Sequence, residues 1–336
     1  RNIVITICLV RSSNDFVENH FEKIIKMIKD SIKSSETKIR DNSYSLVKWS
    51  ITSLIRNLPI HPSKQGIQEM TDDAITWMNP TEEKANKAIQ IVDEVFPLIK
   101  ELYSKKDDTQ SQALATKIAS GITKGLAKAA SASDFENVKE SPYPHIKFYQ
   151  YSFPQISRKL EEVIDWVISI SSEANPETLH HQIATNIINA LLSSVVPIDY
   201  LFLKDQSIGE SLKVLWNETK LSTMLPSMKS MFAIHLFWLA MKSYANWLDM
   251  CEFPFTKFSQ KIIDCAIKYV VSPFPSVREA IGLFFNFTLK CFPKVGDYFS
   301  PFITSTFKSL MDKKSVQSLA TISNVIVPFI IVVDQP

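Results

Sequence analysis

Along this chain apolar residues recur at three- and four-residue intervals, the spacing of one helix face, and seldom alternate as a half-buried strand would. From about 15 to 33, Phe16, Val17, Phe21, Ile24, Ile25, Ile28 and Ile32 fall on one such face. A second run, Ile39, Leu46, Val47, Ile51, Leu54 and Ile55, follows and stops before Pro59. The same reading predicts helices over 80–104 and 108–130, 155–172 and 176–195, 207–220 and 226–250, 257–271 and 276–292, and 297–311 and 315–333. Start signals support several of them. Asn79-Pro80-Thr81-Glu82 reads as an N-cap, a proline in the first helical position and an early acid. Asn175-Pro176-Glu177 repeats the signal, and Ser276-Val277-Arg278-Glu279 has the capping-box form. Only Val325 to Val333 is β-branched enough to read equally well as a strand.

Helices in pairs imply a stack. One hairpin cannot enclose its own apolar face, so successive hairpins cover one another and the core grows in one dimension. Internal similarity points the same way. Ile39-Arg40-Asp41, followed by Leu46-Val47 and Trp49, aligns with Val277-Arg278-Glu279, followed by Phe284-Phe285 and Phe287. The last two pairs repeat after about 39 residues, taking Val277 and Val316 as equivalent; HEAT and armadillo repeats have periods of about 40–47. Elsewhere the connectors 58–79 and 131–154 stretch the spacing. The fold expected is therefore all-α: a HEAT-like α-α superhelix, a degenerate solenoid of about six helix pairs forming a single segment over 1–336. The chain opens inside an apolar element without an initiator Met, so it reads as a piece of a longer protein.

Composition narrows this further. Glycine accounts for 6 of 336 residues, against a usual share of roughly 7%. So few glycines disfavour hairpin-rich β folds, dinucleotide-binding turns and P-loops, all of which need positive φ. Hydrophobic residues make up 45% and charged residues 21%, enough for a sizeable core. Lys+Arg 37 against Asp+Glu 35 leaves a net charge of +2, with no basic tract to mark a nucleic-acid surface. The apolar stretches at 232–241 and 325–333 fall short of the roughly 18 residues needed to span a bilayer. Cys8, Cys251, Cys265 and Cys291 lie far apart, without metal-ligand spacing, and read as buried free thiols of a cytoplasmic or nuclear protein.

Catalytic signatures are missing: there is no GxSxG, HExxH, GxGxxG or GxxxxGK[ST]. The chain is expected to be no enzyme and to need no cofactor or metal. His180 and His181, neighbours on a helix, diverge too far to chelate one ion well, and His235 reads as a core histidine. The acidic pairs Asp72-Asp73, Glu82-Glu83 and Glu161-Glu162 are expected near helix starts, where the dipole favours them. Arg40 and Arg278, at the heads of second helices, would stitch adjacent repeats through acidic neighbours, with ligand binding as the alternative. The connector 131–154 gathers Tyr143, His145, Phe148, Tyr149 and Tyr151. These aromatics would form a partner-binding patch or fold back between helix pairs. A catalytic site completed by sequence outside the chain would also draw on that connector.

Pro273-Phe274-Pro275-Ser276-Val277-Arg278-Glu279-Ala280-Ile281-Gly282-Leu283-Phe284-Phe285 resembles a segment in the C-terminal half of the large single-chain HEAT-repeat proteasome activators. There a proline turn leads into Val-Arg-acid and an Ile-Gly pair. Gly282 carries weight because a glycine inside a helix costs about 1 kcal/mol and needs a packing reason. Phe302 to Leu310, Met311-Asp312 and the helix at 317–327 follow in similar order, and the likeness covers about 60 residues. The resemblance implies an ATP-independent dome over the α-ring of the 20S core particle, opening its gate and admitting substrates. It also implies inositol phosphate binding elsewhere in such a protein. Val333-Asp334-Gln335-Pro336 lacks the Tyr-containing gate motif, so the chain would be an internal wall segment. A nuclear transport receptor of the importin or exportin kind, also built of HEAT pairs, is the alternative expectation.

Overall fold

A computed structural model describes residues 2–12, 14–55, 60–62, 81–105, 108–127, 146–148, 153–195, 256–270 and 272–291, with a few positions between 300 and 308. The predicted helices over 207–250 and 315–333 lie outside the described residues, as do His235 and Asp72-Asp73. Among the described residues the chain is helical apart from two three-residue strands. In order come α1 (Asn2–Ser12), α2 (Asn14–Asn19), α3 (Phe21–Lys33), α4 (Thr37–Ile55), β1 (Ile60–Pro62), α5 (Glu82–Tyr103), α6 (Thr109–Leu126), β2 (Ile146–Phe148), α7 (Pro154–Glu173), α8 (His181–Val195), α9 (Lys257–Ile267) and α10 (Pro275–Cys291). None of these helices is long and apolar enough to cross a membrane.

The helices form two rows. In the first, α3 lies against α5, α5 against α7 and α7 against α9. In the second, α1, α4, α6, α8 and α10 each pack on the next. The two helices of each hairpin contact one another across the rows: α3 with α4, α5 with α6, α7 with α8, and α9 with α10. A continuous apolar core runs between the rows, from Ile24 and Ile28 through Val92, Ile118, Ile164 and Ile187 to Ile263 and Phe284. This is the expected consequence of one-sided helices that bury their stripe only against neighbours.

Local chemistry moves several predicted boundaries. The helix expected over 15–33 breaks at His20, dividing α2 from α3. Helix α5 is capped by Thr81, whose side chain accepts from the Lys84 amide at 3.2 Å, so the start falls later than the Asn79-Pro80 signal predicted. Asp108 caps α6 in the same manner through the Ser111 amide at 2.9 Å. Asn175-Pro176-Glu177 does not open a helix: Asn175 Oδ1 accepts from the Glu177 amide at 3.0 Å, closing a local turn, and α8 begins only at His181. This is the competing use of an asparagine side chain, which serves turns as readily as caps. Glu161 and Glu162 sit mid-helix in α7, not near its start. Instead of meeting the dipole, Glu162 pairs with Lys159 at 2.6 Å. Cys265 is buried as expected, but Cys8 is exposed on α1.

The two rows are held by different means. Ion pairs cross between helices of the first row. Glu18 of α2 meets Lys84 at 3.1 Å and Lys87 at 3.4 Å on α5. Lys29 of α3 meets Glu94 of α5 at 2.7 Å, and Asp93 of α5 meets Lys159 of α7 at 2.7 Å. Asp165 of α7 pairs with Lys261 of α9. Trp166 of α7 adds edge-on contacts with Phe96 and Tyr103 of α5, at centroid distances of 5.6 and 5.7 Å.

In the second row small residues dominate. Helix α6 buries Ala115, Thr116, Ala119, Ser120, Gly121 and Gly125 together with its isoleucines. A Cβ on Gly121 would stand 2.9 Å from the Tyr44 ring, and one on Gly125 would stand 2.7 Å from Ile51 Cγ2. These two glycines let α4 and α6 approach closely. Buried hydroxyls in this row return to their own helix, Thr116 to the Ala113 carbonyl at 3.1 Å and Thr123 to the Ser120 carbonyl at 3.0 Å. Several polar groups thus enter the interface already satisfied, whereas the buried hydroxyls of Ser50, Thr185 and Thr288 have no partner among the described residues.

Candidate functional site

The second row presents the opening turns of its helices side by side, and a cavity of about 570 Å³ runs across them. Thr37, Arg40 and Asp41 come from the start of α4, Gln110, Ala113, Leu114 and Lys117 from α6, His181, Gln182, Thr185 and Asn186 from α8, and Ser276 from α10. Parallel helices in register bring these residues together although they are far apart in sequence.

Several members are fixed by neighbours. Asn186 donates to the Ala113 carbonyl at 3.0 Å and to Thr116 Oγ1 at 3.2 Å, tying α8 to α6 at the cavity floor. The His181 ring lies 4.4 Å from His180 and 5.7 Å from Phe274, centroid to centroid, which links α8 to the loop before α10. His180 Nδ1 in turn accepts from the Gln182 amide at 3.4 Å.

The cations are less committed. Lys117 Nζ stands 5.8 Å from the Tyr44 ring centroid, a cation–π distance. Arg40 is half-buried, and among the described residues no carboxylate lies within ion-pair range of either cation, Asp41 included. Thr185 Oγ1 is buried, with no hydrogen-bond partner among the described residues. Asp108 already fills the start of α6, and hydrogen bonds from Ser111 hold its carboxyl below the usual carboxylate range. The positive character of the groove thus rests on side chains, not on bare helix ends.

The other residues singled out by sequence fall elsewhere. Arg278 is 6% exposed and donates from Nη1 to the carbonyls of Ser272 and Pro273, both at 2.8 Å. Its bonds therefore lie within one hairpin and clamp the proline turn ahead of α10, whereas carboxylate stitching between hairpins falls to the lysines of the first row. Gly282 lies half-buried within α10, beside the exposed Leu283. Tyr143, His145, Tyr149 and Tyr151 lie outside the described residues. Phe148 belongs to β2, which pairs antiparallel with β1 through the register Ile60↔Phe148, His61↔Lys147 and Pro62↔Ile146. The two long connectors, read from sequence as strandless, thus meet as a short ribbon.

Sequence reasoning missed the groove itself, with Lys117, Thr185 and Asn186 on it. A signal was present. Arg40 stands in the first turn of α4, where the helix dipole disfavours a cation, so its placement asks for a partner other than the helix.

No group of His, Cys, Asp or Glu among the described residues is arranged to hold a metal ion. Set against known proteins, the chain matches no family model, no curated protein and no solved structure.

Proposed function

We propose that this chain is a stretch of HEAT-like α-superhelix acting as a non-catalytic, protein-binding scaffold. The observation that carries the reading is the two-row stack: consecutive hairpins repeat one packing relation along a shared core, leaving the edge of the second row as an extended polar groove. Such an arrangement offers area for a protein partner, and among the described residues no group is arranged to hold a metal ion.

Within that reading, the likeness of residues 273–285 to the HEAT-repeat proteasome activators supplies the setting. The chain would form part of a wall capping the 20S core particle in the cytoplasm and nucleus, regulating its gate without ATP. The geometry of that segment supports a structural role. Val277, Ile281, Phe284 and Phe285 are buried, and Arg278 fastens the proline turn. The test is co-sedimentation of the full protein with purified 20S particles, together with hydrolysis of a fluorogenic peptide in the absence of ATP. Association with increased hydrolysis is expected; a protein that neither sediments with the particle nor stimulates it sinks the proposal.

A further inference from the structure

Arg40 and Lys117 sit on adjacent helices in one groove, without a carboxylate in ion-pair range among the described residues. The inter-helix pairs in the first row show what this chain does with cations that serve packing: each meets an acid on the neighbouring helix. The two groove cations have no such acid among the described residues, and a cavity opens beside them.

We propose that the groove across the starts of α4, α6 and α8 is a docking site for an extended acidic peptide segment of a partner protein, with its carboxylates on Arg40 and Lys117. Charge complementarity selects the occupant. Two cations on different helices suit carboxylates spaced along a chain. Asp41, on the same rim, repels a compact polyanion but can accept from a peptide N–H. The remaining lining fits a backbone: Gln110 and Gln182 are exposed amides able to donate and accept, and the buried Thr185 hydroxyl has no hydrogen-bond partner among the described residues. A nucleic-acid strand is a poor match for two cations beside a carboxylate in a chain of net charge +2. With neighbouring helices about 8–10 Å apart, four second-row helices span roughly 25–30 Å, the reach of about eight extended residues at about 3.3 Å each.

This deepens the scaffold reading by naming the chemistry of one surface, and it does not depend on the 20S particle. The test is fluorescence anisotropy with the full protein and a labelled peptide of about eight residues alternating Glu and Ser, against its Gln-for-Glu counterpart. The Glu peptide is expected to bind about tenfold more tightly or better, and to weaken as salt rises. Arg40→Gln combined with Lys117→Gln should erase the difference between the peptides, while Lys261→Gln in the first row should leave it intact. Equal binding of the two peptides overturns the proposal, as does no binding, or a double variant that still prefers Glu. Displacement of the peptide by inorganic phosphate at equal concentration also overturns it, in favour of a small-anion site. Should the double variant fail to fold, hydrogen exchange on the unaltered protein decides. Protection at the starts of α4, α6 and α8 on adding the Glu peptide supports the site, and protection confined to other helices refutes it. Because no 20S particle enters these measurements, failure here leaves the proteasome reading standing, and the reverse holds too.

Discussion

Replacing Gly125 with alanine sets two opposed effects against each other, and the geometry says which wins. In a free helix the change is favourable, because glycine is worse than alanine by about 1 kcal/mol in a helix interior. Here the new Cβ would lie 2.7 Å from Ile51 Cγ2 and 2.9 Å from Ile51 Cβ, whereas carbon atoms rest about 3.5–4.0 Å apart. Ile51 is fully buried and β-branched, so its atoms at that point move only with the backbone of α4. Relief therefore requires α4 and α6 to separate by nearly 1 Å along a long interface, and overpacking of this kind costs about 1–3 kcal/mol. Set against the propensity gain, the net expectation for Gly125→Ala is a loss of up to about 2 kcal/mol. Gly121→Ala carries the same propensity gain, but its Cβ meets the ring of Tyr44 at 2.9 Å, and that half-buried side chain can swing aside. Its net effect should be near zero. Urea denaturation followed by circular dichroism reads both as shifts in midpoint at constant slope. A Gly125→Ala variant more stable than the parent, or no less stable than Gly121→Ala, would show that the close approach of α4 and α6 is wrong. Adding Ile51→Ala tests the cause, since the double variant should lose less than the sum of the single losses.

Tyr269, fully buried, shares a 2.8 Å hydrogen bond with Ser171, which also accepts from Cys265 at 3.2 Å. Tyr269→Phe should cost about 1 kcal/mol in denaturant midpoint analysis, as one buried hydrogen bond lost. Burial pushes the Tyr269 phenol well above its usual range, so between pH 10 and the folded value the unfolded chain holds fewer protons than the folded one. Stability must then fall as pH rises past about 10, and Tyr269→Phe should flatten that slope. Arg278→Lys should destabilise by about 2 kcal/mol, because an ammonium cannot reproduce the guanidinium's fixed reach to the carbonyls of Ser272 and Pro273; thermal melting checks this. Ser50→Ala should stabilise by about 1 kcal/mol in the same melts, since the buried Ser50 hydroxyl has no partner among the described residues. Removing the exposed Lys261–Asp165 pair by Lys261→Ala should change stability by less than about 1 kcal/mol in the urea assay.

The helices were legible in sequence where the apolar stripe is one-sided. Helix α3, with Ile24, Ile25, Ile28 and Ile32 inward and lysines outward, is the clear case. Boundaries were less so, because Thr81, Asn79 and Asn175 are all competent caps and only the neighbouring packing decides which is used. Glycine shows the same limit. Gly282 drew attention by standing in an apolar run, while Gly121 and Gly125 looked ordinary among alanines and serines. Their importance lies in Tyr44 and Ile51, more than seventy residues earlier in the chain, and no local pattern reports a neighbour at that distance. The groove was hidden for the same reason. Its lining spans Thr37 to Ser276, and only the parallel register of the second row gathers it.

The contrast between the rows explains why chemistry left over from packing collects on one of them. First-row helices carry long charged side chains flanking their stripes, and several of these, Lys29, Lys159 and Lys261 among them, reach an acid on the next hairpin. In the second row, α4 and α6 approach through the glycines and alanines of α6, whose Thr116 and Thr123 hydroxyls bond to their own backbone. Arg40, at the head of α4, has no ion-pair partner among the described residues and faces an unfavourable dipole at home. Arg40 and Arg278 occupy the same position in their helices but differ in surroundings: Arg278 is buried and holds the Ser272 and Pro273 carbonyls through Nη1, its Nε having no partner among the described residues, whereas Arg40 is half-buried and lines the groove.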